Sequence, residues 1–259
     1  MKKTMLALVA GFAGLIGGAF DSYDEAISAG KSAIGKNDFT AAVTAFSDAV
    51  AKAEAPDKIV AAGFGLADAY QRAEQKEKAK EAWDKLIKNE KIDAASRAWA
   101  LVHLGDNLRD ENLLIEALGK YDEALKTEKL PVWLQYEAVH RKVNLLGPMK
   151  KFDEASAACK QLAAVPNLDK ELKSGVGLLE ASLLMQQEKF PEATAAFEKL
   201  LAQPDFTGQS GAYWGLANAY KNTGNIEKGI EICRKGVALN NGMKPDFEAT
   251  LANLESQKK

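Results

Sequence analysis

The chain has little of what usually builds a chemical site. Its 259 residues include two histidines and two cysteines, too few for a structural Cys/His metal site. No Gly-rich phosphate loop, dinucleotide turn or G-x-S-x-G nucleophile turn is present. The 34 basic and 36 acidic residues nearly cancel, leaving −2, without the basic excess of a nucleic-acid-binding protein. Strand-favouring runs of Val, Ile and Thr are scarce. Beyond the first twenty residues no apolar run is long enough to cross a membrane. These absences argue against catalytic residues, a cofactor, a metal and a nucleic-acid partner.

What is abundant is alanine: 44 residues, against 20 Gly and only seven Pro. Alanine has the highest helix propensity, and its small side chain lets helices approach closely. With 47% hydrophobic and 27% charged residues the chain reads as folded and all-α.

The first twenty residues have a different character. Met1-Lys2-Lys3-Thr4 is short and basic, and Met5 to Phe20 is apolar or Gly throughout, with small residues at Gly17 and Ala19. This is the pattern of a secretory signal, with cleavage expected after Ala19. The alternative is a retained membrane anchor, although sixteen residues fall short of the roughly 20 that a spanning helix needs. On this reading the mature protein is exported and periplasmic or envelope-associated. Loss of Lys2 and Lys3 takes its charge from −2 to −4.

The remainder repeats itself. A small residue recurs at Ala42, Ala79, Ala117, Ala155, Ala193 and Gly229, at intervals of 36 to 38. Four residues after each stands Phe46, Trp83, Tyr121, Cys159, Phe197 or Cys233, and seven after each stands Ala49, Leu86, Ala124, Leu162, Leu200 or Gly236. Three before each stands Phe39, Lys76, Leu114, Phe152, Phe190 or Ile226, Lys76 being the break. Offsets of −3, 0, +4 and +7 share one face of a helix. A preceding helix carries Gly30, Ala67, Gly105, Val143, Ala181 or Ala217 at −12, and Ala33, Tyr70, Leu108, Leu146, Leu184 or Tyr220 at −9. Prolines punctuate this map. Pro56, Pro131, Pro166 and Pro204 fall after a second helix, Pro148 ends a first helix, Pro191 sits in a first turn, and Pro245 opens a last helix, Asp246 to Gln257. Asp57, Asp93, Asp169 and Asn225 are expected N-caps.

The pattern resembles the tetratricopeptide repeat, whose first helix carries L-G-x-x-Y and whose second carries Y-x-x-A-x-x-x-F-x-x-A. The clearest copies are Leu66 to Tyr70 and Leu216 to Tyr220 for the first, and Phe39 to Ala49 and Phe190 to Leu200 for the second. The period is longer than the family's roughly 34 residues, and repeats four and five carry Lys142 and Glu180 in place of the first-helix Leu. The resemblance implies a right-handed α-solenoid of about six helix-turn-helix repeats: 20–56, 57–93, 94–131, 132–169, 170–207 and 208–241. Residues 1–19 precede them as the signal, and 242–259 form a C-terminal capping helix, which a solenoid needs to cover its last core face.

In this family the first-helix residues lining the concave groove recognise partners. Applied here, that nominates Phe64, Asp68, Trp99, Asp106, Arg109, His140, Asn144, Trp214, Asn218 and Lys221. Aromatic and Arg side chains are the usual anchors of an interface. Asn144 and Asn218 suit an extended peptide backbone. Arg109 and Lys221 suit carboxylates, while Asp68 and Asp106 supply the opposite sign. Trp99 and Trp214 have an alternative place as plugs between helices. Asp68 and Asp106 stand where a carboxylate clamp would need cations, so no such clamp is expected. His103 and His140 read as structural or surface residues. Cys159 and Cys233 share one register two repeats apart, beyond the roughly 7 Å Cα limit of a disulfide, and are expected as buried free thiols. The mixed charges from Lys76 to Lys85 read as a solvated helix face.

The function this implies is a non-enzymatic scaffold or adaptor holding an unidentified protein or peptide in its groove. One alternative is a self-associating, homo-oligomeric component of an envelope assembly. The other is a helical-toroid carbohydrate enzyme or small-ligand receptor.

Overall fold

The computed structural model describes residues 19–166 and 168–257; the expected signal, apart from Ala19, lies outside them. Among the described residues there are thirteen α-helices and no strands. They are α1 (Tyr23–Gly35), α2 (Phe39–Lys52), α3 (Pro56–Arg72), α4 (Lys76–Ile87), α5 (Ala94–Asp110), α6 (Leu114–Leu125) and α7 (Val132–Leu146). They continue as α8 (Phe152–Ala163), α9 (Lys170–Gln186), α10 (Phe190–Leu201), α11 (Gln209–Asn222), α12 (Ile226–Ala238) and α13 (Lys244–Gln257). The fold is that of an all-α helical-repeat solenoid, with odd-numbered helices as the first and even-numbered helices as the second of each pair. The described residues form two compact units, one up to Ala100 and one from Leu101, divided within α5.

The sequence register is the buried register. In each of α2, α4, α6, α8, α10 and α12 the residues at 0, +4 and +7 are buried, and so is every residue at −12 on the preceding helix. The reason is the fit between small and large side chains. In the first unit the Phe46 ring on α2 lies against Gly30 of α1 and Gly65 of α3; a Cβ on Gly30 would stand 2.8 Å from that ring. In the second unit Phe197 of α10 occupies the same place against Gly215 of α11. In these repeats a bulky second-helix residue packs where a first-helix glycine leaves room. Lys76, the break in the pattern, is exposed.

Each pair closes through the same turn. Five residues before the small residue, Asn37, Glu74, Asn112, Lys150, Glu188 and Gly224 all have φ between +58° and +71°. The next amide then reaches back five residues, as in Asp38 N to Ala33 O (2.9 Å) and Lys189 N to Leu184 O (3.0 Å). This is a Schellman C-cap, which satisfies carbonyls that the helix end leaves unpaired. Only one of the six copies uses the glycine that the conformation favours.

Two of the four expected caps differ from expectation. Asp57 is not an N-cap: Ala55 holds that place and Pro56 opens α3 at its first position, where the missing N–H costs nothing. Pro56 thus follows the second helix α2, as expected, and also opens the next first helix. Asn225 is the N-cap of α12 but makes no side-chain cap bond. Asp169 caps α9 as expected, accepting from Leu172 N, and Asp93 accepts from Ser96 N at 2.7 Å. The last helix begins at Lys244, two residues earlier than expected. Its Phe247 and Leu254 are fully buried against α12, Leu251 between them packs on the cluster that holds Leu254, and Glu248, Ala249, Ala252 and Asn253 are exposed. Lys142 does not disturb repeat four: its Nζ reaches Asp122 Oδ1 of α6 at 2.5 Å.

Candidate functional site

The nominated residues fall on the first-helix face of each unit, where they form local clusters. In the first unit Phe64 is half-buried and sits edge-on to Trp83, ring centroids 4.8 Å apart. Asp68 is paired with Arg72 one turn on, at 2.9 Å. Trp99 is half-buried.

In the second unit Asp106 is the centre of a network. Its Oδ1 accepts from the Tyr121 hydroxyl at 2.9 Å and from Arg109 Nη1 at 3.2 Å. Its Oδ2 accepts from Arg141 Nε at 2.8 Å. Arg141 also pairs with Glu137 on its own helix, and Arg109 Nη2 pairs with Asp110 at 2.8 Å. Three helices, α5, α6 and α7, thus close on one carboxylate. Burial, followed by the Asp106 charge, raises the Tyr121 phenol well above its ordinary value, so it stays a donor. Asp106 and the two arginines are bonded to one another. Of the residues that complete this network, Glu137 shares the groove register of His140 and Asn144, whereas Tyr121 and Arg141 do not. Tyr121 reads as core in the repeat pattern, and Arg141 lies one position beyond the groove register.

His140 and Asn144 form a second cluster. The ring Nε2 and the Asn144 amide nitrogen are 2.9 Å apart, and the ring stacks on Tyr136 at 5.8 Å. Burial lowers the His140 pKa, against an opposing pull from Glu137. Trp214, left open by the sequence between groove and plug, is half-buried and meets Phe247 of α13 edge-on at 5.6 Å. Asn218 donates back to the Trp214 carbonyl at 2.8 Å, and Lys221 is exposed. Arg109, Asn144 and Lys221 are the nominated residues with exposed side chains; the other seven are half-buried.

The second-helix side carries clefts that the sequence reading did not anticipate. One, of about 370 Å³, lies among α8, α9 and α10 and is lined by Lys173, Val176, Gly177, Glu180, Lys199 and Leu200. A smaller one, of about 90 Å³, lies among α2, α3 and α4 beside Gly63. Gly63 and Gly177 hold the same place, sixteen residues before the small residue of their repeats. Among the described residues no group of three or more metal-ligating side chains occurs, and no helix is long and apolar enough to cross a membrane.

Residues 178–243 and 61–90 match family models of the tetratricopeptide repeat. No curated protein matches the sequence. In fold, the chain is similar to a tetratricopeptide repeat protein from Parabacteroides merdae. That match has 16% identity and TM-score 0.66, covering 92% of this chain and 88% of that one. It is also similar to pilF of Pseudomonas aeruginosa, with 16% identity, TM-score 0.56 and coverage of 88% and 96%. A third is the C-terminal part of a tetratricopeptide repeat protein from Cytophaga hutchinsonii, with 13% identity, TM-score 0.55 and coverage of 89% and 95%. With one buried register repeated six times along paired helices, and with two of its segments matching the family's own models, the chain is a tetratricopeptide repeat protein.

Proposed function

We propose that the protein is an exported, non-enzymatic scaffold that holds a protein or peptide partner on the first-helix face of its second unit. Tetratricopeptide repeat proteins are in general interaction scaffolds without enzymatic activity. The observation that carries the reading is the division of labour along that face. Asp106, Arg109, Arg141, Glu137 and Tyr121 hold one another in place. On α7 and α11, Asn144 and Lys221 are exposed, and His140 and Trp214 offer half-buried rings. A face with a fixed polar frame, exposed hydrogen-bonding tips and ring surfaces between them suits an extended peptide carrying apolar and acidic side chains.

The test is site-specific photo-crosslinking in cells. A photoreactive side chain is placed singly at Asn144, Asn218 or Lys221, or on the opposite face at Lys160 or Lys199. The reading expects discrete adducts from the first three positions only. Adducts confined to Lys160 and Lys199, or none from any position, would overturn it.

A further inference from the structure

We infer that Asp48 is the seat of a processed N-terminus: hydrolysis of the Ala19–Phe20 bond places the new α-ammonium of Phe20 on the buried Asp48 carboxylate. The inference rests on the export reading and is independent of which face binds a partner.

The first observation is a contact. The Phe20 backbone nitrogen donates to Asp48 Oδ2 at 3.2 Å, across 28 residues of sequence. The second is burial. Asp48 lies six residues after Ala42 on α2 and is 9% exposed. The same place in the other repeats is held by Lys85, Glu123, Gln161, Lys199 and Lys235, and all five are exposed. Repeat one is the only one whose second helix carries a buried charge there. The third is packing. Phe20 is half-buried and rests with Tyr23 and Ala53 on the cluster of Ala26, Ala49 and Ala62. Residue 20 is therefore seated by its side chain as well as by its nitrogen, while Ala19 immediately before it is exposed.

A carboxylate removed from water needs charged or multiple donors. Lys52 supplies one, with Nζ 2.7 Å from both oxygens. The uncut chain offers a single amide N–H as the other. Cleavage changes that donor's charge. Water adds across the bond, with the hydroxyl going to the Ala19 acyl carbon and the proton to the Phe20 nitrogen. At neutral pH the new carboxyl releases a proton and the new amine takes one. An endopeptidase of the signal-processing class performs the step. Gly17 and Ala19, small at the third and first places before the bond, satisfy its preference, and the product ammonium has three N–H groups where the amide had one.

The test has two arms. In the first, the full chain is expressed in a Gram-negative host and the intact mass of the periplasmic protein is measured. The inference expects the mass of residues 20–259. A full-length cytoplasmic chain overturns the export reading, whereas an exported chain starting elsewhere overturns the site. In the second, a chain starting at Phe20 is released from an N-terminal fusion and its α-amine is titrated by acylation rate. The amine should titrate about one unit above the ordinary 7.7–8.0, a roughly tenfold slower reaction at neutral pH. Asp48→Asn should restore the ordinary value. So should one extra residue ahead of Phe20, which leaves Asp48 intact and guards against misfolding of the variant. An ordinary α-amine in the Phe20-initiated chain overturns the pairing.

Discussion

Replacing Glu74, Lys150 and Glu188 together by glycine should stabilise the protein. Each side chain is exposed and stands at φ +58° in a helix-to-helix turn. A residue with a Cβ in that left-handed region is strained by roughly 1–2 kcal/mol. Glycine removes the strain, but its greater freedom in the unfolded chain returns roughly 0.5–1 kcal/mol. The net gain is about 0.5–1 kcal/mol per site, or about 1.5–3 kcal/mol for three sites too far apart in sequence to share partners. Urea titration is the assay: the midpoint should rise with an unchanged slope. Gly224→Ala is the mirror experiment. Gly224 has φ +71° and open space where a Cβ would go, so the variant should lose about 1 kcal/mol through the backbone alone. A triple variant with an unchanged or lower midpoint, or a neutral Gly224→Ala, would refute the reasoning.

Three further outcomes follow from the second unit. Asp106→Ala leaves Arg141 without the partner that joins α5 to α7 and the Tyr121 hydroxyl without its acceptor. A loss of about 2–3 kcal/mol is expected in denaturant titration, and a loss below 0.5 kcal/mol would show the network to be ornamental. His140 has its pKa lowered by burial, so the unfolded state binds its proton first as pH falls. Its contribution to stability is therefore complete above the unfolded value of about 6.5 and is lost as pH falls through the lower folded value. His140→Gln should flatten the stability profile in that window, and an unchanged slope would count against the assignment. Cys159 and Cys233 are fully buried and unpaired, and burial pushes the Cys159 thiol up to about 11. A thiol reagent should find none in the native protein and two after denaturation; reaction of the native protein would contradict the packing.

The pairing of helices and their buried faces were legible before any coordinates. Ala42, Ala79, Ala117, Ala155, Ala193 and Gly229 recur with bulky partners four residues on, and a helix face is a local geometric consequence of such spacing. The turns were less legible. Asn37, Asn112 and Gly224 hint at left-handed backbone, but Glu74, Lys150 and Glu188 give no compositional sign of it; the demand comes from joining two packed helices in three to five residues. Asp57 is a local misreading of the same kind, since Pro56 beside it competes for the helix start and wins.

The nominated face shows the sharper division. Spacing alone placed Asp106, His140, Asn144 and Trp214 on first helices, because residues three, four and seven apart share a side of one helix whatever surrounds it. Spacing could not say that Asp106 would be met by Tyr121 and Arg141 from two other helices. Nor could it say that Phe247 would rise against Trp214, or that the Phe20 N–H would meet a buried Asp48. Helical periodicity is a property of one segment, so the repeat, its buried register and its helical class follow from the spacing of residues along the chain. Which polar groups are closed upon one another and which still face solvent depends on side chains from distant segments meeting at hydrogen-bond distance, and that emerges only when the helices pack.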